Sequence, residues 1–202
     1  ATRPTHRALD DARATVEVEG DDGRRATGRG AIYLSDLWAW PDPGIAPPER
    51  DAAMRAYARH TADTLAGRTG APAHPLELGL RLHDHTLAEN DAGPPPLARL
   101  VSASPFDAAL HDAAGRLAGR SAFGLYDRPA DAPSADALFP DDGAVATIGK
   151  MLRPEPSPAV DATLVVGKGD DLATLEPWVR ERGYAFFKLK IGGVDPDEDA
   201  AR

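Results

Sequence analysis

The sequence predicts an α+β region joined to the opening of an α/β repeat. Strand-like alternation around glycine turn residues comes first, over 15–34, and helical patterns follow it. Further on, a β-rich run, a helical run and a second β-rich run succeed one another over 161–191, the length of a βαβ unit.

The elements follow in order. Residues 15–19 (TVEVE) alternate as a strand, 20–23 (GDDG) supply a turn, and 28–34 (GRGAIYL) return as a second strand, a β-hairpin or meander. Residues 35–48 read as an irregular loop carrying Trp38 and Trp40. From 48 to 66 the pattern is helical, with Ala53, Tyr57, Thr61 and Thr64 or Leu65 on one face and Gly67 as its stop. Residues 74–87 read as another short helix and 90–96 as a loop.

Ser104-Pro105-Phe106-Asp107 carries the signals of a helix start: a serine cap, a proline pre-set for the first turn, and an acid facing the positive end of the dipole. Phe106, Ala109, Leu110, Ala113 and Leu117 then share one stripe, and Gly119 ends it. Residues 122–158 form a long connection with at most short elements. Beyond it, 161–166 (DATLVV) reads as a strand and 167–171 as a turn. Residues 172–182 read as a helix capped by Asp171 or Thr174, and 186–191 as a strand. Gly192-Gly193 and the acids of 195–199 lead into a further helix. Two domains are expected, 1–150 and 151–202.

Composition excludes several function classes. The 202 residues carry a net charge of −9 with pI about 5.1, and no basic stripe offers a footprint for nucleic acid or anionic membrane. Cysteine is absent, which removes disulfides, thiolate metal sites and a cysteine nucleophile. No apolar stretch reaches the ~18–20 residues of a membrane span, and no signal-peptide pattern opens the chain, so a cytoplasmic protein is expected.

The most informative segment is 183–194 (GYAFFKLKIGGV). Lys188 and Lys190 stand two apart in an apolar run, so in a strand they share a face. Two ammonium groups side by side on a buried strand disfavour each other's charge, and burial adds to this. Both effects draw a lysine pKa toward the range of a general base. The plainer alternative is an amphipathic strand with Phe187, Leu189 and Ile191 toward the core and both lysines in water.

In this order, the helix SPFDAALHDAAGRLAGR, the run DATLVV and the motif FKLKIGG resemble the enolase superfamily, in its mandelate racemase/muconate lactonizing enzyme-like branch. The first is similar to the last long helix of that family's capping domain, the others to the first two strands of its barrel. The resemblance implies an α+β capping domain joined to the first βαβ unit of an incomplete (β/α) TIM-like barrel. It implies that Lys190 is the base removing the proton α to a small carboxylate substrate, with Lys188 beside it holding its pKa down. It implies Mg²⁺ stabilising the enediolate, held by acids on later strands outside this chain; no metal ligand is assigned here. The family's reactions include racemisation, acid-sugar dehydration and cycloisomerisation. Its capping-domain loop reaches over the barrel mouth, which makes Trp38, Trp40 and, less strongly, Asp36 candidates for substrate contact. Homo-oligomers are common in it. The family's first capping strand and most of its barrel, which takes roughly 250 residues, are missing, so the sequence reads as the inactive N-terminal part of an enzyme. A rival expectation is a non-catalytic binding or assembly module that needs a partner chain to complete its sheet.

Other constellations are weaker. His83-Asp84-His85 lacks a fourth ligand nearby and reads as solvated surface. His111 and Asp112 read as helix packing or a surface pair. Gly167-Lys168-Gly169 is too short for a phosphate-binding loop.

Overall fold

The computed structural model describes residues 10–89, 93–127, 143–152, 157–167, 169–193 and 195–200. The chain divides into two compact units, Ala1–Pro156 and Ser157–Arg202.

In the first unit, β1 (Asp11–Glu19) and β2 (Arg25–Tyr33) form the expected antiparallel hairpin, in register from Asp11↔Tyr33 to Glu19↔Arg25. The first strand begins four residues before the alternating TVEVE run. Asp11, Arg13, Thr15, Glu17 and Glu19 are exposed, while Ala14 and Val16 are buried, the period of two that puts one face of a sheet on a core. Opposite those two residues stand Gly30 and Gly28. Their bare Cα atoms let a helix settle on the strand. A Cβ at Gly28 would lie 2.1 Å from the Ala109 carbonyl oxygen, and one at Gly30 would lie 2.0 Å from that of Pro105.

That helix, α4 (Pro96–Ala118), is preceded by α1 (Asp36–Ala39), α2 (Pro47–Thr69) and α3 (Pro75–Ala88). Three expectations are corrected. The 35–48 segment contains a short helix, α1. Helix α2 runs past Gly67 to Thr69. Helix α4 begins at Pro96 rather than at Ser104, so Pro105 lies inside it. Pro105 has no N–H to give the Val101 carbonyl, which would ordinarily cost the helix a bond. The Ser104 hydroxyl supplies the missing donor, 2.9 Å from the Val101 oxygen. The serine and proline that read as a cap and first turn are therefore an internal repair. The true start also bears proline, Pro96 behind Pro95, and the end falls at Gly119 as expected.

Two apolar clusters hold this unit. Ala14, Val16, Leu82, Phe106, Ala109 and Leu110 join the hairpin to α3 and α4. Leu34, Ala39, Met54 and Ala98 join α1, α2 and α4, with Trp40 packed against them. A 3₁₀ turn (Ala122–Asp127) and α5 (Ala144–Met151) occupy the described parts of the long connection.

The second unit is β3 (Thr163–Val166), α6 (Leu172–Arg182), β4 (Phe186–Leu189) and α7 (Pro196–Ala200). The strands are parallel, in register from Thr163↔Phe186 to Val166↔Leu189, which makes the segment the predicted βαβ unit. The Asp171 carboxylate caps α6 by accepting from the Ala173 amide at 3.0 Å, and the helix ends at Gly183. Among the described residues this sheet has two strands.

Candidate functional site

Parallel pairing fixes which side chains share a face. Leu164 and Val166 are buried, and opposite them stand Phe187 and Leu189. A βαβ crossover lays its helix over one face of the sheet; the half-buried residues of α6, Leu175 and Val179, are one turn apart on one stripe. Lys188 pairs with Val165, on the other face. Lys190 follows just beyond the strand, and its amide donates to the Val166 carbonyl at 2.9 Å, which carries the ladder one residue further. Lys188 and Lys190 thus keep the i, i+2 relation read from the sequence, at the C-terminal end of a parallel strand. The expected burial is absent: every residue of β4 is exposed, as are Lys190 and Ile191. Phe186, Phe187, Leu189 and Ile191 are all about half exposed or more, so none is the core residue that alternation suggested.

The turn after β4 is built from its own acids. Asp199 accepts from the Gly192 and Gly193 amides at 2.8 and 2.7 Å. Asp195 accepts from the amides of Asp197 and Glu198 at 3.0 and 3.2 Å, the role of an N-cap.

The remaining predicted residues belong to the first unit, on and beside α1. Asp36 is 1% exposed and meets Arg50, itself 5% exposed, through Nη2 at 2.9 Å and Nε at 3.1 Å. Nη1 of Arg50 donates to the carbonyls of Asp42 and Ile45. Asp36 is therefore an anchor that pins the 36–46 segment to α2, which corrects its reading as a substrate contact. Trp40 also serves as an anchor, against Leu34, Ala39, Met54 and Ala98. Between these two fixed points Leu37 and Trp38 stand outward, Trp38 at 75% exposure. The segment is anchored at both points and carries an exposed tryptophan between them.

Sequence reasoning missed Arg50, because nothing marks a charged residue of a helix as the partner of an acid fourteen positions earlier. It also missed a polar network between α2 and the end of α3. The Tyr57 hydroxyl donates to Glu89 at 2.6 Å, and Arg68, 5% exposed, reaches Glu89 at 2.6 Å and the Tyr57 oxygen at 3.2 Å. Burial first, and then the Glu89 carboxylate, raise the Tyr57 phenol above its ordinary pKa.

His83, Asp84 and His85 are exposed, with His83 3.1 Å from Asp84. No group of three or more histidines and acids able to hold a metal is found among the described residues. Asp112 does pack its helix: it accepts from the Arg29 amide at 2.9 Å and from Arg116 at 3.0 Å, tying α4 to β2. Gly167 closes a turn through Asp170, while Lys168 lies outside the described residues. No helix among them is long and apolar enough to cross a membrane. No protein-family model, curated protein or solved structure matches the chain.

Proposed function

We propose that this chain is the capping region and opening βαβ unit of an enolase-superfamily enzyme, with Lys190 as the base that removes a proton α to a substrate carboxylate. One observation carries the reading. Lys188 lies on the face of β4 opposite its pairing with buried Leu164 and Val166, and Lys190 follows directly at the C-terminal end of this parallel strand, its amide still bonded to Val166. In a (β/α) barrel that face is the interior and that end bears the chemistry. A neutral Lys190 amine would take the proton as the Cα–H bond breaks, leaving the electron pair on the enediolate. Lys188, two residues earlier, is the second lysine of the proposed site. Trp38 is the remaining candidate for substrate contact from the capping side.

The Mg²⁺ that the resemblance implies finds no place among the described residues. The acids nearest the lysines in sequence are engaged, Asp195 on a helix start and Asp199 on two glycine amides. Racemases, acid-sugar dehydratases and cycloisomerases all begin with the same proton abstraction.

The test uses the longest natural form of the protein, incubated in deuterated water with acid sugars and amino-acid derivatives. Exchange of the α-proton is expected in the wild type and is abolished in Lys190→Ala with an unchanged circular dichroism spectrum. Exchange that persists in the variant removes Lys190 as the base.

A second reading is favoured by the exposure of Phe186, Phe187, Leu189 and Ile191. A two-stranded parallel sheet bare on these side chains suits a non-catalytic module whose sheet a partner chain completes. Size-exclusion chromatography separates the cases: a monodisperse monomer that unfolds cooperatively argues against it.

A further inference from the structure

Helices α3 and α4 enclose a cleft of about 450 Å³, inside the usual range for small-molecule sites of about 300–1,000 Å³. Leu76, Leu80 and Leu100 make it largely apolar, and Asp107, His111 and Tyr126 supply its polar side. Gly79 stands in its wall in mid-helix, where glycine is normally a cost. A Cβ there would fall 2.2 Å from Asp107 Oδ1, so the glycine is what lets that carboxylate lie against α3.

The backbone decides which nitrogen of His111 is the donor. His111 Nδ1 is 3.0 Å from the Asp107 backbone oxygen, and a carbonyl only accepts, so Nδ1 carries the proton. In a neutral imidazole whose Nδ1 donates, Nε2 is the acceptor. It is buried, with no hydrogen-bond partner among the described residues. A buried polar atom of this kind costs about 1–3 kcal/mol unless something satisfies it. The ring is stacked on Tyr126, with centroids 6.1 Å apart and planes 17° from parallel.

Tyr126 is fixed in turn. His74 caps α3 by accepting from the Leu76 amide at 3.2 Å, and its Nε2 donates to the Leu125 carbonyl at 2.7 Å. One histidine therefore joins the start of α3 to the 3₁₀ turn that carries Tyr126. Burial, and secondarily the charge of Asp107, raise the Tyr126 phenol above its ordinary pKa.

We propose that this cleft binds a small, mostly apolar molecule bearing one hydroxyl donor, whose proton is accepted by His111 Nε2 while its ring or chain lies on the leucines. The site is independent of the lysine chemistry above and belongs to the first unit alone.

Phenol is the probe and toluene its donor-free counterpart, titrated into the 202-residue chain labelled with ¹⁵N-histidine. Phenol is expected to saturate in the millimolar range, to shift the His111 Nε2 resonance, and to bind roughly tenfold tighter than toluene, the value of one net hydrogen bond. In His111→Phe, which keeps an aromatic ring against Tyr126, the affinity for phenol should fall to that for toluene. Equal affinity of the two probes in the wild type overturns the proposal, as does an Nε2 resonance that phenol leaves unmoved. Both readouts come from the wild-type chain, so they decide the matter even if the variant does not fold.

Discussion

Removing the Asp36 carboxylate should cost the first unit a large share of its stability. The Asp36 and Arg50 side chains are 1% and 5% exposed, and the guanidinium donates to one carboxylate oxygen through two nitrogens. In Asp36→Ala the guanidinium loses its counter-charge while remaining buried, and breaking such a pair costs about 3–5 kcal/mol. Nη1 keeps its bonds to the Asp42 and Ile45 carbonyls, so the loss belongs near the lower end, about 3 kcal/mol. Arg50→Met also releases those carbonyls and belongs near the upper end, about 5 kcal/mol. Domains of this size have about 5–15 kcal/mol in total. The expected fall in Tm is roughly 6–12 °C for Asp36→Ala, from about 2–4 °C per kcal/mol. Urea melts followed by circular dichroism and tryptophan emission, with Trp40 packed beside the segment, give the free energies. The double variant should cost clearly less than the sum of the singles, because neither charge is then buried alone. A single-variant cost under ~1 kcal/mol, the level of a surface pair, or strict additivity in the double variant, refutes the anchoring role.

Two further outcomes follow from the hairpin's seat on α4. Gly28→Ala places a methyl carbon 2.1 Å from the Ala109 oxygen and 2.2 Å from the Ala113 nitrogen, both backbone atoms that cannot step aside. The hairpin must then lift from the helix, at a cost of about 1–3 kcal/mol or more in a denaturant melt. A neutral effect would mean that the strand does not rest on the helix. Asp112 links the same two elements, and its pKa gives a pH signature. Burial pushes the carboxyl up, but the Arg29 amide and the Arg116 guanidinium outweigh it and hold the group below the ordinary carboxylate range. Its contribution is therefore fully present above the unfolded value of about 3.9 and is lost as pH falls through the lower folded value. In Asp112→Asn the stability should fall less steeply across that acid range, read from melts at stepped pH; an unchanged slope contradicts the assignment.

The parts of the fold that rest on local chemistry could be read from the residues. The hairpin, the cap at Asp171, the stop at Gly183 and the strand–helix–strand order all follow from short-range signals. The start of α4 could not, because Ser104 and Pro105 carry the marks of a helix beginning. Only the folded structure, with the serine hydroxyl on the Val101 carbonyl one turn back and Pro105 against Gly30 of the hairpin, shows why a proline persists there. Helix α2 hides its partners in the same way. Its buried residues are Arg50, Met54, Tyr57, Thr61, Arg68 and Thr69, a polar face that no apolar stripe betrays. Asp36, named as a candidate for substrate contact from the family's loop alone, has its partner on that face. The face shared by Lys188 and Lys190 was legible from spacing alone, whereas the exposure of β4 depends on what lies against the strand, which its own sequence does not encode.

The most direct test of the central proposal is the coding sequence downstream of Arg202. The proposal predicts that it continues through a run of strand–helix repeats, with single acids at the ends of three successive strands and a lysine or histidine further on, opposite Lys190. A stop codon directly after Arg202 contradicts it. Lys188 and Lys190 would then be strand residues awaiting a partner chain.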